Sequence, residues 1–327
     1  MSGTASWAVA CGGVAFLVAG ALVPLLVRFA AGRNLLDVPN PRSSHEIPTP
    51  RLGGVAVMAG VWVGAALLRP EEGWPLLVFA TLAGVVGLID DFANLHFGVK
   101  AAGQAAAALA LVLVAPPPFA EAAGVLAPLA GALAIVWLVA LMNAFNFMDG
   151  IDGISGGTAV ANALFLWALA PDGAAVLPVF VGAVFGFLAW NLAPATIFLG
   201  DSGSHFLGFL LGGAALYAGG EAAPLLPLAA VVVFAPYLFD TAYTLLRRLR
   251  AGKNVFSAHR EHIYQRITPS PTFHRQVSIL YCGLAVVSGV SAVLLARGYA
   301  IPGILLLLAC CATIALLPRI RSEARER

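Results

Sequence analysis

Eleven apolar runs, each near the length that crosses a bilayer, divide this chain. They lie at about 6–31, 52–68, 75–91, 99–115, 124–142, 154–170, 174–192, 204–219, 223–245, 276–296 and 299–318. A spanning helix needs roughly 20 apolar residues, and a segment in lipid must satisfy its own backbone polar groups, which favours helices. The pattern predicts an all-α, polytopic membrane helical bundle of 10–11 transmembrane helices, built as one integral-membrane domain over 1–327. Composition agrees: 60% of residues are hydrophobic and 10% charged, and the mean hydropathy is +0.91. A soluble domain carries about 25% charged residues. A soluble globular protein, a disordered chain and a basic nucleic-acid binder are thereby excluded.

The placement of charge sets an expected orientation. If the run 6–31 passes from outside to inside, all 18 Lys and Arg residues except Arg69 and Arg297 fall on the inner side. The positive-inside rule then puts the N-terminus outside and the C-terminus in the cytoplasm. The same arrangement places all six histidines inside: His45, His96, His205, His259, His262 and His274. Chemistry is therefore expected at the cytoplasmic face, in loops 32–51, 143–153, 193–204 and 246–275. The four cysteines, Cys11, Cys282, Cys310 and Cys311, lie inside apolar runs without ligand spacing and read as small buried hydrophobes. The first run lacks a basic leader and is long enough to span, so it reads as a membrane helix rather than a cleaved signal.

Five polar clusters interrupt this apolar background. Asp90 and Asp91 end the third run, where paired carboxylates need a cation or a shared proton unless they simply face water. Lys100 and Gln104 follow at a spacing that puts both on one helix face; a plain topology anchor is the alternative for Lys100. The segment Asn143–Gly153 carries Asn143, Asn146, Asp149 and Asp152 at intervals of three, oxygen-rich groups suited to a hard ion such as Mg²⁺ and to phosphate. Its calcium-loop alternative lacks the required acid spacing. Gly200-Asp201-Ser202-Gly203-Ser204 opens a helix, a place where phosphate binds. Asp201 would repel phosphate unless a cation bridged them, which marks it as a metal ligand; a helix cap is the plainer role. His205 beside it is read as a packing or hydrogen-bonding residue.

The longest inner loop, 246–275, is basic and holds His259, Arg260, His262, Tyr264 and Arg266, a set suited to a phosphorylated, base-bearing ligand. Anchoring on the membrane surface is the bland alternative. Asp240 lies just above this loop and is expected to pair with its basic groups or serve the site. The first loop, rich in proline, contributes Asp37, Arg42 and Arg51.

Taken together and in order, Asp37–Gly54, Gly87–Asp91, Lys100 with Gln104, Asn143–Gly153, Gly200–Ser204 and His259–Arg266 resemble the polyprenyl-phosphate N-acetylhexosamine-1-phosphate transferases, glycosyltransferase family 4. The resemblance covers the chain from the first loop to about residue 270. It implies a multi-pass enzyme of the bacterial inner membrane that needs Mg²⁺ (or Mn²⁺). Such an enzyme transfers sugar 1-phosphate from a UDP-N-acetylhexosamine to undecaprenyl phosphate and releases UMP. It is compatible with a homodimer. Catalytic roles fall on Asp90, Asp91 and Asp149, and metal binding on Asp201 with Asp149. Substrate contacts fall on Lys100, Asn143, Asn146, Asp152, Arg42, Arg51, His259, Arg260, His262 and Arg266. Asp90 is expected to orient or deprotonate the lipid phosphate, with a covalent phospho-aspartate ranked second. The form Ala258-His259-Arg260-Glu261-His262-Ile263-Tyr264-Gln265-Arg266 departs from the histidine-rich loop of many members. It resembles the O-antigen initiating branch, whose donors include UDP-linked N-acetylfucosamine and N-acetylquinovosamine. A proton-coupled anion transporter fits less well: the acids sit at helix ends rather than at midplane, and no repeat is visible.

Overall fold

The computed structural model describes residues 3–33, 35–39, 46–70, 73–170, 175–218, 226–255, 257 and 259–326. Its helices are α1 (Gly3–Arg33), α2 (Gly53–Leu68), α3 (Trp74–Ala93), α4 (Phe97–Val114), the short α5 (Pro118–Ala122), α6 (Ala127–Met148), α7 (Ile154–Leu169) and α8 (Leu177–Asn191). They continue with α9 (Gly200–Leu216), α10 (Leu226–Val232), α11 (Ala235–Arg250), the single turn α12 (Ile263–Arg266), α13 (His274–Ala296) and α14 (Ala300–Glu326). The one described sheet is a two-residue antiparallel ladder, β1 (Leu36–Asp37) on β2 (Thr49–Pro50), that closes the first loop with Leu36 opposite Pro50.

Every expected apolar run carries helix, but the runs are not eleven equal spans. Among the described residues six helices are long and apolar enough to cross a membrane: α1, α3, α4, α6, α13 and α14. Helices α2, α7 and α8 are apolar but shorter, at 16, 16 and 15 residues. The ninth run is broken: α10 and α11 meet at 67°. Val233 and Phe234 form the turn, and Pro236 lies in the first turn of α11. Proline lacks an N–H and clashes in a helix interior, yet it fits a first turn. Helices also reach further into the expected loops. Asn143 and Asn146 belong to α6, Asp201 to α9, and Arg247, Arg248 and Arg250 to α11.

Helix α9 is the central member. Every residue from Ser202 to Leu216 is buried, as expected for a helix that is apolar all round. It packs against α3, α6 and α2, while α1 packs against α8 and α2, and α7 against α13 and α8. Exposed Leu17, Leu113, Val136 and Leu305 lie on the outer helices, α1, α4, α6 and α14, the distribution a lipid-facing surface requires.

Two local devices place the site. A Cβ on Gly87 would collide with the backbone carbonyl of Asp201, so glycine lets α3 approach the start of α9. Gly200 has φ +75°, and a Cβ there would lie 2.6 Å from the Arg51 carbonyl oxygen and 2.8 Å from Asp91 Oδ2. Both the backbone conformation and the space select glycine. The first loop is stitched to the same turn, since Phe198 N–H donates to the Pro50 carbonyl at 2.8 Å and Gly54 N–H to the Leu199 carbonyl at 2.8 Å. Gly87→Ala should lower stability by about 1–3 kcal/mol, the usual cost of overpacking. Thermal unfolding of the purified protein in detergent checks this against the wild type.

Candidate active site

The site forms where α3, α4, α6 and α9 end together. The first N–H groups of a helix have no partner within it. Here Asp91 supplies one from another helix: its Oδ1 accepts from Asp201 N at 3.0 Å and its Oδ2 from Ser202 N at 3.1 Å. A carboxylate at a helix N-terminus is also favoured by the helix dipole. Asp91 therefore joins α3 to α9 and holds Asp201 next to Asp90.

The turn from α3 to α4 is just as specific. Leu95 N donates to Asp90 Oδ1 at 2.7 Å, Asn94 caps α3 in the left-handed conformation, and the His96 side chain caps α4 by accepting from Gly98 N at 3.2 Å. The chain doubles back and brings Lys100 over Asp90. Lys100 Nζ donates to Asp90 Oδ2 at 2.8 Å and to Asp201 Oδ2. Asn146 Nδ2 donates to Asp201 Oδ1 at 2.8 Å and to Ser204 Oγ at 3.2 Å. Both oxygens of Asp201 are thus addressed from separate helices, by Lys100 and by Asn146. Asp149 caps α6 outside the helical conformation. Burial pushes its pKa up to about 7, and the negative charges of Asp201 and Asp91 add to the shift.

Lys100 thus bridges two carboxylates, Asp90 and Asp201, and Asp91 and Asp149 lie near enough to Asp201 to feel its charge. Among the described residues no three His, Cys, Asp or Glu side chains are close enough to hold a metal by themselves. That donor set fits Mg²⁺ better than zinc or calcium: Mg²⁺ takes one or two carboxylates and completes its shell with water and substrate phosphate. Asp201 and Asp149 are the carboxylates that would hold such an ion.

Not every residue singled out from the sequence reaches this cluster. Asp152 turns away: its Oδ2 accepts from Ala195 N at 3.1 Å and its Oδ1 lies 3.3 Å from His274 Nδ1. It braces the segment before α9 against α13, because the helix ends at Met148 and the spacing of three no longer keeps one face. Asn143 stays on the same face of α6 as Asn146, one turn deeper, and donates to Gln104 Oε1 at 2.9 Å. Arg51 pairs with Asp37 at 2.6 Å and, with Asp91 and Asn94, lines an open cleft beside the cluster. Arg42 lies outside the described residues.

The last loop is organised by Asp240, which is fully buried. Its carboxylate accepts from Ile263 N at 2.8 Å, Tyr264 N at 3.0 Å and the Tyr281 hydroxyl at 2.5 Å. His262 Nδ1 lies 3.3 Å away. His262 is buried and stacks between Phe147 and His259, with ring centroids at 5.7 and 5.0 Å. The Tyr264 hydroxyl donates to the Phe147 carbonyl at 3.0 Å and docks the loop onto the end of α6. Of the residues expected to meet substrate here, His262 serves as this structural wedge, His259 is half-buried, and Arg260 and Arg266 are exposed. Glu261, which the sequence did not single out, accepts from Arg247 at 2.9 Å, Lys253 at 3.0 Å and Arg248. One acid among the six Lys and Arg residues of 247–266 was the only available signal. Ser204 and Tyr281 were not legible either, since their partners are 58 and 41 residues distant.

This loop should loosen in acid. Burial, with His262 and Arg248 nearby, brings the His259 pKa down to about 4 from the ordinary 6.5. The hydrogen bond from Lys253 holds Glu261 below the usual carboxylate range. Between pH 6.5 and 4 the detached loop takes up a proton on His259 that the docked loop refuses. Docking is therefore fully favoured above that window and weakens as pH falls through it, with Glu261 acting in the same sense at its lower end. Hydrogen exchange of residues 253–262, corrected for intrinsic rates, should quicken from pH 7 to 4.5 while α9 stays protected.

Comparison with known proteins agrees with this geometry. The model of glycosyl transferase family 4 matches residues 74–219, the segment that carries Asp90, Lys100, Asn146 and Asp201. The decaprenyl-phosphate N-acetylglucosaminephosphotransferase of Mycobacterium tuberculosis is 32% identical, covering 80% of this chain and 76% of its own. The undecaprenyl-phosphate alpha-N-acetylglucosaminyl 1-phosphate transferase of Thermotoga maritima is 30% identical over 75% of this chain and 78% of its own. The probable undecaprenyl-phosphate N-acetylglucosaminyl 1-phosphate transferase of Bacillus subtilis is 27% identical over 86% and 83%. With an acidic cluster bridged by one lysine at the end of an apolar helical bundle, and relatives alike over most of their length, this chain belongs to the polyprenyl-phosphate N-acetylhexosamine-1-phosphate transferases of glycosyl transferase family 4.

Proposed function

We propose that the enzyme transfers sugar 1-phosphate from a UDP-N-acetylhexosamine to undecaprenyl phosphate at the cytoplasmic face of a bacterial inner membrane. UMP is released, and the product starts an O-antigen or another envelope polysaccharide. The observation that carries this reading is Lys100, held between Asp90 and Asp201 at the N-terminus of α9.

An oxygen of the lipid phosphate attacks the β-phosphorus of the donor in line. The new P–O bond forms as the bond from that phosphorus to the bridging oxygen breaks, and the bridging oxygen leaves on UMP. Both substrates are anions, so the work is alignment and neutralisation of charge. Mg²⁺, bound by Asp201 and Asp149, would neutralise the diphosphate and the departing UMP. Lys100 meets the lipid phosphate and Asp90 orients it. A phosphate monoester has its second pKa near ~6 and is largely dianionic at neutral pH, so Asp90 need not be a strong base. Asn146 keeps Asp201 turned toward the reacting groups. His259, Arg260 and Arg266 line the approach for the nucleotide-sugar.

Two donors have support. The His259–Arg266 form favours a 6-deoxy sugar, N-acetylfucosamine or N-acetylquinovosamine. The relatives' names favour N-acetylglucosamine. UMP release by purified protein with Mg²⁺ and undecaprenyl phosphate, across UDP-linked forms of these three sugars and N-acetylgalactosamine, separates them. Lipid-dependent release is expected with one donor preferred; none with any donor in folded protein overturns the reading. Asp90→Ala, Asp149→Ala and Asp201→Ala should each abolish turnover while leaving the protein in the membrane. Lys100→Ala should lower kcat by roughly 10²–10³-fold, the usual loss for one electrostatic contact to a transition state.

A further inference from the structure

A second tier of polar side chains lies one helical turn deeper than the site, on the same helices. Gln104 is four residues beyond Lys100 on α4, Asn143 three before Asn146 on α6, and His205 four beyond Asp201 on α9. Gln104 is 1% exposed and His205 0%. Polar groups buried at this depth are costly unless paired. None of these three has a place in the chemistry of the reaction.

Their pairing has a definite direction. Asn143 Nδ2 lies 2.8 Å from the Val139 carbonyl oxygen, which can only accept, so the atom facing it is the amide nitrogen. The same nitrogen donates to Gln104 Oε1 at 2.9 Å. The other end of that amide, Gln104 Nε2, must then be a donor, and it lies 3.0 Å from His205 Nε2. His205 Nε2 is therefore an unprotonated acceptor, and the ring proton sits on Nδ1. That Nδ1 is buried without a hydrogen-bond partner of good geometry and faces the Ala83 carbonyl on α3.

We propose that His205 is a positioning residue, acting through Gln104 and Asn143 to set the relative height of α4, α6 and α9. It thereby holds Lys100 and Asn146 against Asp201. The proposal rests on the transferase reading. Its physical basis is the contrast between two kinds of contact. These helices meet through small and apolar groups, such as Gly208 against Met142 and Leu141. Apolar contact is not directional and tolerates sliding. A chain of hydrogen bonds tolerates little, because it weakens steeply with distance and angle. Buried polar residues specify register in this way in helical bundles.

The test uses the full chain, purified into lipid nanodiscs, with Mg²⁺, undecaprenyl phosphate and the preferred UDP-sugar. A glutamine at this position reaches to where His205 Nε2 lies and offers an acceptor to Gln104. An asparagine reaches only as far as Nδ1 and leaves Gln104 unpaired. Both are polar and neither is large, so neither tests mere space-filling. His205→Asn should lower kcat by roughly 10- to 100-fold, the scale of a misplacement near 1 Å, with KM for the UDP-sugar within about twofold of wild type. His205→Gln should keep at least half of the wild-type kcat. In a Gln104→Leu background the two should become equal, since interacting residues are not additive. Equal kcat for the two variants in the native background, or a gap that survives Gln104→Leu, overturns the proposal. Wild-type protein that releases no UMP with any donor overturns the transferase reading and this proposal together, so the two failures are told apart by the wild type alone.

Discussion

The carboxylate of Asp91, on α3, accepts two backbone N–H groups in the first turn of α9, those of Asp201 and Ser202. A helix end buried in a membrane protein has no water to satisfy its free N–H groups. Asp91 answers that need, and in doing so decides where Asp201 stands. Gly87 lets the two helices close to contact, and Gly200 turns the chain into α9 with no side chain to meet Asp91 or the first loop. Remove this cap and the remaining site loses its reference, because Lys100 and Asn146 both point at Asp201. An acid expected to do chemistry thus serves first as the joint between two helices.

Asp240 plays the corresponding part in the last loop. It sits fully buried and binds two successive N–H groups at the start of α12, together with the Tyr281 hydroxyl. Its oxygens are matched by hydrogen-bond donors, which is what a buried polar group requires. The loop then reaches the site through Tyr264 and the stacked rings of Phe147, His262 and His259. The two halves of the site therefore meet at the end of α6. Asn146 faces the acidic cluster, and the neighbouring Phe147 receives the loop.

The two anchors differ in how firmly they hold. The acidic cluster is tied by helices packed along their length. The loop hangs on Asp240, a ring stack and the Glu261 ion pairs. Exposed ion pairs contribute little to stability and are screened by salt. The loop is thus held by fewer and more local contacts than the acidic cluster.

The sequence by itself determined the all-helical membrane architecture and the gathering of polar residues at one end of the bundle, because apolar runs of bilayer length leave the chain few alternatives. It also determined that Asp90, Lys100, Asn146 and Asp201 belong to one cluster, through motif order and resemblance. Tertiary structure decided what each carboxylate does. Asp90 and Asp201 share Lys100, Asp91 caps a helix, Asp152 braces the segment before α9, and Asp240 organises a loop. It also decided that the ninth apolar run bends by 67° instead of spanning straight. The physical reason is one of range: hydropathy and spacing are local properties, whereas a carboxylate's role is set by the donor opposite it, which for Asp91 and Ser202 is 111 residues away.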